Sequence, residues 1–114
     1  MALHAVFSAL ARSAVSCGRL TAAAIPILPG AHDLTKAGVA SSLLPQNRLM
    51  RNRVRCDDTV TLDLLFDPQT AGGMLIAIAA DKAEALLARL RETYADAAII
   101  GRVTEKVARS LVVI

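Results

Sequence analysis

The sequence predicts an α/β domain in which helices pack on a mixed β-sheet. The chain has 114 residues, the length of one domain, and hydrophobic residues make up 54% of it. Almost all of these are aliphatic, since the aromatic residues are Phe7, Phe66 and Tyr94. Stretches with helical spacing alternate with short apolar runs along the chain. An aliphatic core and this alternation are typical of helices packed on a sheet.

The first third of the chain predicts a helix, a strand and a turn. Residues 2–16 place apolar side chains at helical spacing, which predicts an amphipathic helix that ends near Gly18. Residues 20–28 predict a short strand with Pro26 at a sheet edge, because proline cannot donate to a ladder. Pro29-Gly30 then predicts a turn.

The middle of the chain predicts a helix, an irregular segment and two strands. Residues 31–39 predict a short helix closed by Gly38. Residues 40–56 have no clear period and predict an irregular segment. Residues 59–66 fit a strand or a short helix, and their period of two favours the strand. The continuous apolar run 73–79 predicts a buried strand.

The last third predicts one helix and two strands, without an internal repeat. Asp81 is the predicted cap of a helix over residues 82–94, whose apolar side chains recur on one face. Residues 97–106 and 110–114 predict two final strands around a turn near Glu105-Lys106. Together these elements predict the mixed sheet.

The first seventeen residues contain no acid and end in the sequence Ala14-Val15-Ser16-Cys17. They fit either the first helix or a targeting segment, of lipoprotein or mitochondrial type. Arg12 falls within the apolar part and no Lys or Arg comes before that part, which argues against an export signal. The run is too short to span a membrane. Cys17 and Cys56 form neither a disulfide framework nor a zinc site, which favours reduced thiols in a cytoplasmic protein.

The net charge of +3 is carried mainly by arginine, and one cluster stands out. Arg51, Arg53 and Arg55 alternate after Arg48, so in an extended chain these three would share one face. They form either a solvated basic edge or an anion-facing strip, since the arginine fork matches phosphate oxygens. Nucleic acid is not the expected partner, because almost no aromatic side chains are available for base stacking.

Candidate metal ligands are few and scattered. His4 and His32 are far apart in the sequence. The carboxylates of Asp57, Asp58 and Asp63 lie close together, where a role in solvating the surface is favoured over a metal site. The sequence therefore predicts no metal site in this chain.

The segment Asp67-Pro68-Gln69-Thr70-Ala71-Gly72-Gly73 sets a polar loop between two apolar runs. Pro68 favours an extended backbone at Asp67. Gly72 and Gly73 permit positive φ and close approach to the backbone, and successive N–H groups beside glycines can hold an anion. The residues alone leave two interpretations open, a tight turn that enters a buried strand and a ligand-facing loop.

Two motifs closely resemble the last part of selenophosphate synthetase (selenide, water dikinase). The first is DPQTAGGMLIAIAADKAEALLARL followed by AAIIGRV, and the second is IPILPGAHDLTKAGV at residues 25–39. Asn47 falls where this family carries an asparagine. The related aminoimidazole ribonucleotide synthetase, thiamine-phosphate kinase and hydrogenase maturation proteins lack so close a match. The resemblance covers most of residues 20–107 and implies the fold of the aminoimidazole ribonucleotide synthetase (PurM) C-terminal domain.

The departures from the family pattern limit what the resemblance implies. Ala71 replaces the usual serine, and residues 42–44 replace a Gly-Gly-Thr segment. The family's amino-terminal half, with its catalytic cysteine or selenocysteine, lysine, metal-binding carboxylates and ATP loop, has no counterpart in residues 1–114. Cys17 does not match the catalytic cysteine, because no glycine-rich loop with a following lysine surrounds it.

The resemblance implies a supporting role rather than a catalytic one. The intact family makes selenophosphate, AMP and phosphate from selenide, water and ATP with Mg²⁺. The resemblance places Gln69, Thr70, Gly72, Gly73 and Asn47 at the phosphate and nucleotide end of that active site. No catalytic residue and no cofactor are expected for this chain alone, and activity requires an amino-terminal ATP-binding half. The expected partner is that half or a second copy of the chain.

Two other interpretations stay open at this point. The chain could be a standalone module that binds a phosphate-bearing ligand or regulates another protein. It could also be a truncated remnant without activity. Neither a membrane nor a nucleic acid is an expected partner.

Overall fold

The computed structural model describes residues 16–68, 73–105 and 108–114, and its described strands form one mixed sheet. The strands are β1 (Ser16–Leu20), β2 (Val54–Arg55), β3 (Gly101–Glu105) and β4 (Leu111–Val113). Their order across the sheet is β2-β4-β1-β3. β4 pairs in parallel with both β1 and β2, whereas β3 pairs antiparallel with β1. The predicted α/β class with a mixed sheet is confirmed.

Four α-helices and two 3₁₀ segments connect the described strands. The helices are α1 (Ala31–Lys36), α2 (Leu44–Asn47), α3 (Thr59–Phe66) and α4 (Ala80–Arg91). The 3₁₀ segments are Ala22–Ala24 and Arg48–Arg53. No helix in the described ranges is long and apolar enough to cross a bilayer.

The core lies between one face of the sheet and the helices α2 and α3. Its buried members are Leu20, Leu44, Val54, Leu62, Leu65, Phe66, Leu111 and Val113. Leu62, Leu65 and Phe66 follow one another at i, i+3 and i+4, so they form one face of α3. This packing holds α3 against the three parallel strands.

Helix α1 begins and ends as the sequence predicts. Gly30 precedes it with a φ of 82°, and Gly38 follows it with a φ of 86°. The Gly38 N–H donates to the Thr35 carbonyl and the Val39 N–H donates to the Leu34 carbonyl, both at 3.0 Å. These two bonds form a Schellman motif, which requires the left-handed backbone that glycine adopts readily.

The preference for a strand over residues 59–66 was wrong, since this segment is helix α3. The Asp58 carboxylate accepts a hydrogen bond from the Thr61 N–H at 2.9 Å and caps the helix. Helical spacing also buries three large apolar side chains on one face, whereas an alternating strand would have divided them between two faces. The cap and the packing override the β-propensity of the threonines and valine.

The first strand lies earlier than the sequence predicts. β1 covers Ser16–Leu20, so the predicted helix does not extend to Gly18, and the predicted strand over 20–28 is wrong. Residues 1–15, which carry the rest of that helix, lie outside the described residues. The position of β1 is set by its pairing with β3 and β4, which a local pattern does not contain.

The predicted buried strand at residues 73–79 is also wrong. The segment has no regular structure, and Met74 is 84% exposed while Ile76 and Ile78 are each 44% exposed. A continuous apolar run fits a buried strand only where a neighbouring strand accepts it. In the described part of the chain, the partners of the four strands do not include this segment.

Three smaller predictions also change. Residues 40–56 contain α2, a 3₁₀ segment and β2 rather than one irregular segment. Helix α4 begins at Ala80 with Ala79 as its cap, so Asp81 lies inside the first turn. The final strands β3 and β4 exist as predicted, but β1 lies between them. The turn predicted at Glu105-Lys106 falls partly outside the described residues, because Lys106 is not among them.

Candidate functional site

The polar loop begins directly after helix α3. Helix α3 ends at Phe66, and Asp67 follows with φ of −59° and ψ of 126°. This is the extended backbone that proline imposes on the residue before it. Gln69, Thr70, Ala71 and Gly72 lie outside the described residues. Gly73 is exposed, and apart from its own atoms and its two chain neighbours nothing lies within 4 Å of where its β-carbon would be.

Asn47 contacts this loop entry directly. Its side-chain Nδ2 donates a hydrogen bond to the Phe66 carbonyl at 2.8 Å, in a partly buried position. Phe66 is the last residue of α3, where carbonyl groups lack partners within the helix. The asparagine therefore joins the end of α2 to the start of the polar loop. Its contact with a ligand, which the resemblance implies, stays a prediction.

The next residue, Arg48, holds the same helix one turn earlier. Its Nε donates to Asp63 Oδ1 at 2.8 Å and its Nη2 donates to Asp63 Oδ2 at 2.5 Å. This fork-to-carboxylate geometry is the stronger form of ion pair. The hydrogen bonds to Asp63 raise the pKa of Arg48 above its ordinary value. Asn47 and Arg48 together form what we call the 47–48 clamp, which fixes α3 and the loop entry relative to α2.

The predicted strip of Arg51, Arg53 and Arg55 has a different geometry from the one expected. Arg51 and Arg53 lie in the 3₁₀ segment, whereas Arg55 lies on β2. All three are exposed. Because side chains of a 3₁₀ segment repeat every three residues, the alternation does not align them on one face. The segment is therefore not the extended chain in which the three side chains would share a face, and their role toward an anion stays a prediction.

A cleft of ≈ 610 Å³ lies at the carboxyl ends of the three parallel strands. In open α/β sheets this edge is the usual position of ligand sites. The cleft is lined by Arg19, Ala22, Arg55, Cys56, Asp57, Asp58, Thr61, Val112, Val113 and Ile114. Its walls therefore combine apolar strand ends with both basic and acidic side chains.

Asp58, one of the acidic residues that line the cleft, caps helix α3. The Asp58 carboxylate accepts from the Thr61 Oγ1 at 2.5 Å as well as from the Thr61 N–H. These hydrogen bonds lower the pKa of Asp58 below its ordinary value. Asp58 is therefore ionised at neutral pH and structural.

The two cysteines are not arranged as nucleophiles. Cys17 is completely buried, and its Sγ donates to the Gly18 carbonyl at 3.4 Å. Cys56 lines the cleft, and burial raises the pKa of its thiol. A reactive cysteine needs a lowered pKa and access to substrate.

Two of the three carboxylates near α3 have structural partners. Asp58 caps the helix and Asp63 binds Arg48. At the surface, His32 Nδ1 lies 3.9 Å from Asp33 Oδ1. In the ranges that the structure describes, no three His, Cys, Asp or Glu side chains are grouped as metal ligands would be.

Comparison with known proteins supports the resemblance seen in the motifs. Residues 19–114 match the family described as AIR synthase related protein, C-terminal domain. The chain belongs to this family. As a member of the AIR synthase related C-terminal domain family, it is 40% identical over 103 residues to the selenide, water dikinase of Pelobacter propionicus, covering 85% of this chain and 30% of that protein.

Two further relatives agree with this assignment. The selenide, water dikinase of Caldanaerobacter subterraneus is 37% identical over 86 residues, covering 72% of this chain and 25% of that protein. Selenide, water dikinase 2 of Peptoclostridium acidaminophilum is 34% identical over 94 residues, covering 79% of this chain and 27% of that protein. The family domain in this chain therefore spans little more than a quarter of the length of these relatives.

The sequence named several site residues but not the contacts that position them. Asn47 was named by resemblance, while its bond to Phe66 and the bond of Arg48 to Asp63 join residues 19 and 15 positions apart. No periodicity encodes contacts at such separations. If residues 59–66 had been predicted as a helix, Asp63 and Phe66 would have been expected near each other on it. This is the sequence signal that could have indicated the two contacts.

Proposed function

We propose that this chain acts as the carboxy-terminal part of a selenide, water dikinase. In this role it closes over the phosphate and nucleotide end of an active site whose ATP-binding and catalytic groups belong to an amino-terminal half. That half could be part of the same polypeptide or a separate chain. The match of residues 19–114 to the family, with relatives that are named selenide, water dikinase, carries this proposal.

The part of this chain in the reaction is to position rather than to react. Selenophosphate formation uses ATP and Mg²⁺ in the family that the motifs resemble, and phosphoryl transfer depends on placing cations and phosphate-cradling groups. Asp58 and Asp63 are each engaged with protein groups, so these two carboxylates are not free to hold a metal. Following the resemblance, we assign ATP and Mg²⁺ to the amino-terminal half.

The loop is the segment through which the chain would contact phosphate. The 47–48 clamp fixes the end of α3, and Pro68 stiffens the start of the loop. Beyond this entry, Gln69 and Thr70 supply polar side chains, and the glycines allow backbone N–H groups to turn toward an anion. A rigid entry lowers the entropy that the loop loses on closing over a ligand.

Exposed apolar surface supports the need for a partner. Met74, Ile76 and Ile78 follow the loop directly and are exposed. Contiguous exposed apolar side chains mark surfaces that another chain or domain covers. A second copy of the chain is the alternative partner, and sedimentation of the purified chain over a concentration series distinguishes it from the amino-terminal half.

A mixing assay tests the proposal. The chain and the separately expressed amino-terminal half of the Pelobacter propionicus relative are assayed for selenide-dependent AMP formation, alone and together. The intact relative is the positive control, and ATP binding by its isolated half shows that this half is folded. We expect AMP formation only in the mixture. A mixture that neither associates nor forms AMP contradicts the proposal.

A further inference from the structure

The strand register places three arginines in one row across the sheet. Arg55 on β2 pairs with Val112 on β4, Val112 pairs with Arg19 on β1, and Arg19 pairs with Arg102 on β3. Residues that pair across strands point to the same face of a sheet. We call Arg55, Arg19 and Arg102 the arginine row.

The arginine row lies on the face of the sheet opposite the core. Its sequence neighbours Val54 and Leu20, together with Leu111 and Val113 on either side of Val112, are buried in the core. Because side chains alternate between faces, the row points away from that core. All three arginines are exposed, so their guanidinium groups are accessible.

The like charges of the row repel one another. Arg19 and Arg102 lie directly opposite each other, and like charges in this position destabilise a sheet. Within the described residues, the guanidinium groups of these three arginines form no ion pair and no hydrogen bond. The carboxylates of Asp57 and Asp58 line the adjoining cleft without forming an ion pair to the row, and Asp58 accepts hydrogen bonds from Thr61. An anion bound along the row would relieve this repulsion.

The spacing of the row indicates the size of the anion. Adjacent strands are about 4.8 Å apart, so Arg19 and Arg102 can both reach one phosphate, while Arg55 lies about 10 Å from Arg19 across Val112. The arginine fork matches phosphate oxygens in a bidentate manner. Arg19 and Arg55 also line the cleft at the carboxyl ends of the parallel strands, where ligands of α/β sheets bind.

We infer that the arginine row, with the adjoining cleft, is a binding site for a small anion that carries at least two linked phosphates. This site differs from the loop at residues 67–73. The cleft contains Asp58 and Thr61 at the start of α3, whereas the loop begins at its other end, about 12 Å away for a helix of this length. The inference does not depend on the proposed dikinase role.

Tripolyphosphate titration of the whole chain at low ionic strength tests this site, with isothermal calorimetry and the melting temperature as readouts. We expect binding by the wild type, weaker binding of orthophosphate, and about fivefold weaker tripolyphosphate binding for Arg19→Gln and for Arg102→Gln. Arg89→Gln on α4 removes the same charge elsewhere and is the matched control, for which affinity should stay within about twofold.

Two comparisons separate binding from a change in stability. Arg102→Gln removes the like-charge opposition, so its ligand-free melting temperature should rise while the increase caused by tripolyphosphate shrinks. Asp57→Asn removes an acidic group from the cleft and should strengthen binding. The inference is overturned if the wild type does not bind tripolyphosphate, if Arg89→Gln weakens binding as much as Arg19→Gln, or if only a single-stranded oligonucleotide binds.

Discussion

At the scale of single residues, the fold depends on a position where only glycine fits between two strands. A β-carbon at Gly101 would overlap the Arg19 carbonyl oxygen on the neighbouring strand. Gly101 belongs to the Ile-Gly-Arg-Val segment that the resemblance identified, and the structure supplies its physical reason. The same reasoning finds open space beside Gly73.

We therefore expect Gly101→Ala to lower the free energy of unfolding by about 2–3 kcal/mol, because β1 and β3 must separate to admit the methyl group. Urea denaturation followed by circular dichroism measures this change. Gly73→Ala is the matched control and should alter stability by less than about 0.5 kcal/mol. Equal effects at the two glycines would contradict the packing argument.

The cap of α3 predicts a pH dependence. Hydrogen bonds from Thr61 lower the pKa of Asp58 in the folded protein, so the unfolded state binds the proton more tightly. The stabilisation is fully present above about pH 5 and is lost as the pH falls through the ordinary aspartate range and toward the lower folded pKa.

In thermal melts at pH 7, Asp58→Ala should lower the melting temperature by a few degrees, and this difference from the wild type should shrink toward pH 3. Asp58→Asn keeps a capping oxygen but does not titrate, so it should lose less stability at pH 7. A pH-independent difference between Asp58→Ala and the wild type would refute the assignment.

The cysteines give a residue-scale test of burial. Cys17 is completely buried, and burial raises the pKa of Cys56. In the native protein, a thiol reagent should modify Cys56 slowly at pH 7 and faster as the pH rises, because the thiolate is the reactive form. Cys17 should react only after unfolding. Mass spectrometry of the labelled peptides assigns each site, and fast native labelling of Cys17 would contradict its position in the sheet.

At the scale of elements, the 47–48 clamp connects α2 and α3 to the loop. Arg48→Gln and Asp63→Asn should each destabilise the protein modestly, and the double variant should cost less than the sum of the two, since either change alone removes the fork. Urea denaturation of the four proteins completes the cycle. Strict additivity would show that the ion pair does not contribute in solution.

Elements with local signals were predictable from the sequence, and elements that depend on distant partners were not. Helix α1 carries its stop signal in Gly38, and α4 carries a clear apolar period. β1 and the segment 73–79 were misplaced because a strand is defined by its neighbour. The same is true of the candidate site. Asn47 was proposed from a motif, but its contact with Phe66 could be seen only in the folded structure.

At the scale of the whole molecule, the sheet separates two surfaces with different chemistry. One face packs on α2 and α3 and leads through the 47–48 clamp to the polar loop. The other face presents the arginine row. The arginine row is visible only once the register of all four strands is known. The alternation of Arg51, Arg53 and Arg55 in the sequence therefore indicated a basic surface but not which arginines form it.

We propose that the chain completes a dikinase active site, and a titration tests this proposal most directly. Selenide-dependent AMP formation is measured at a fixed concentration of the relative's amino-terminal half while the chain is added in increasing amounts. We predict a rate that rises and saturates at equimolar chain, and that falls when Gln69 and Thr70 are replaced by alanine. A rate that stays at the background level at every ratio, with both parts folded, would contradict the account.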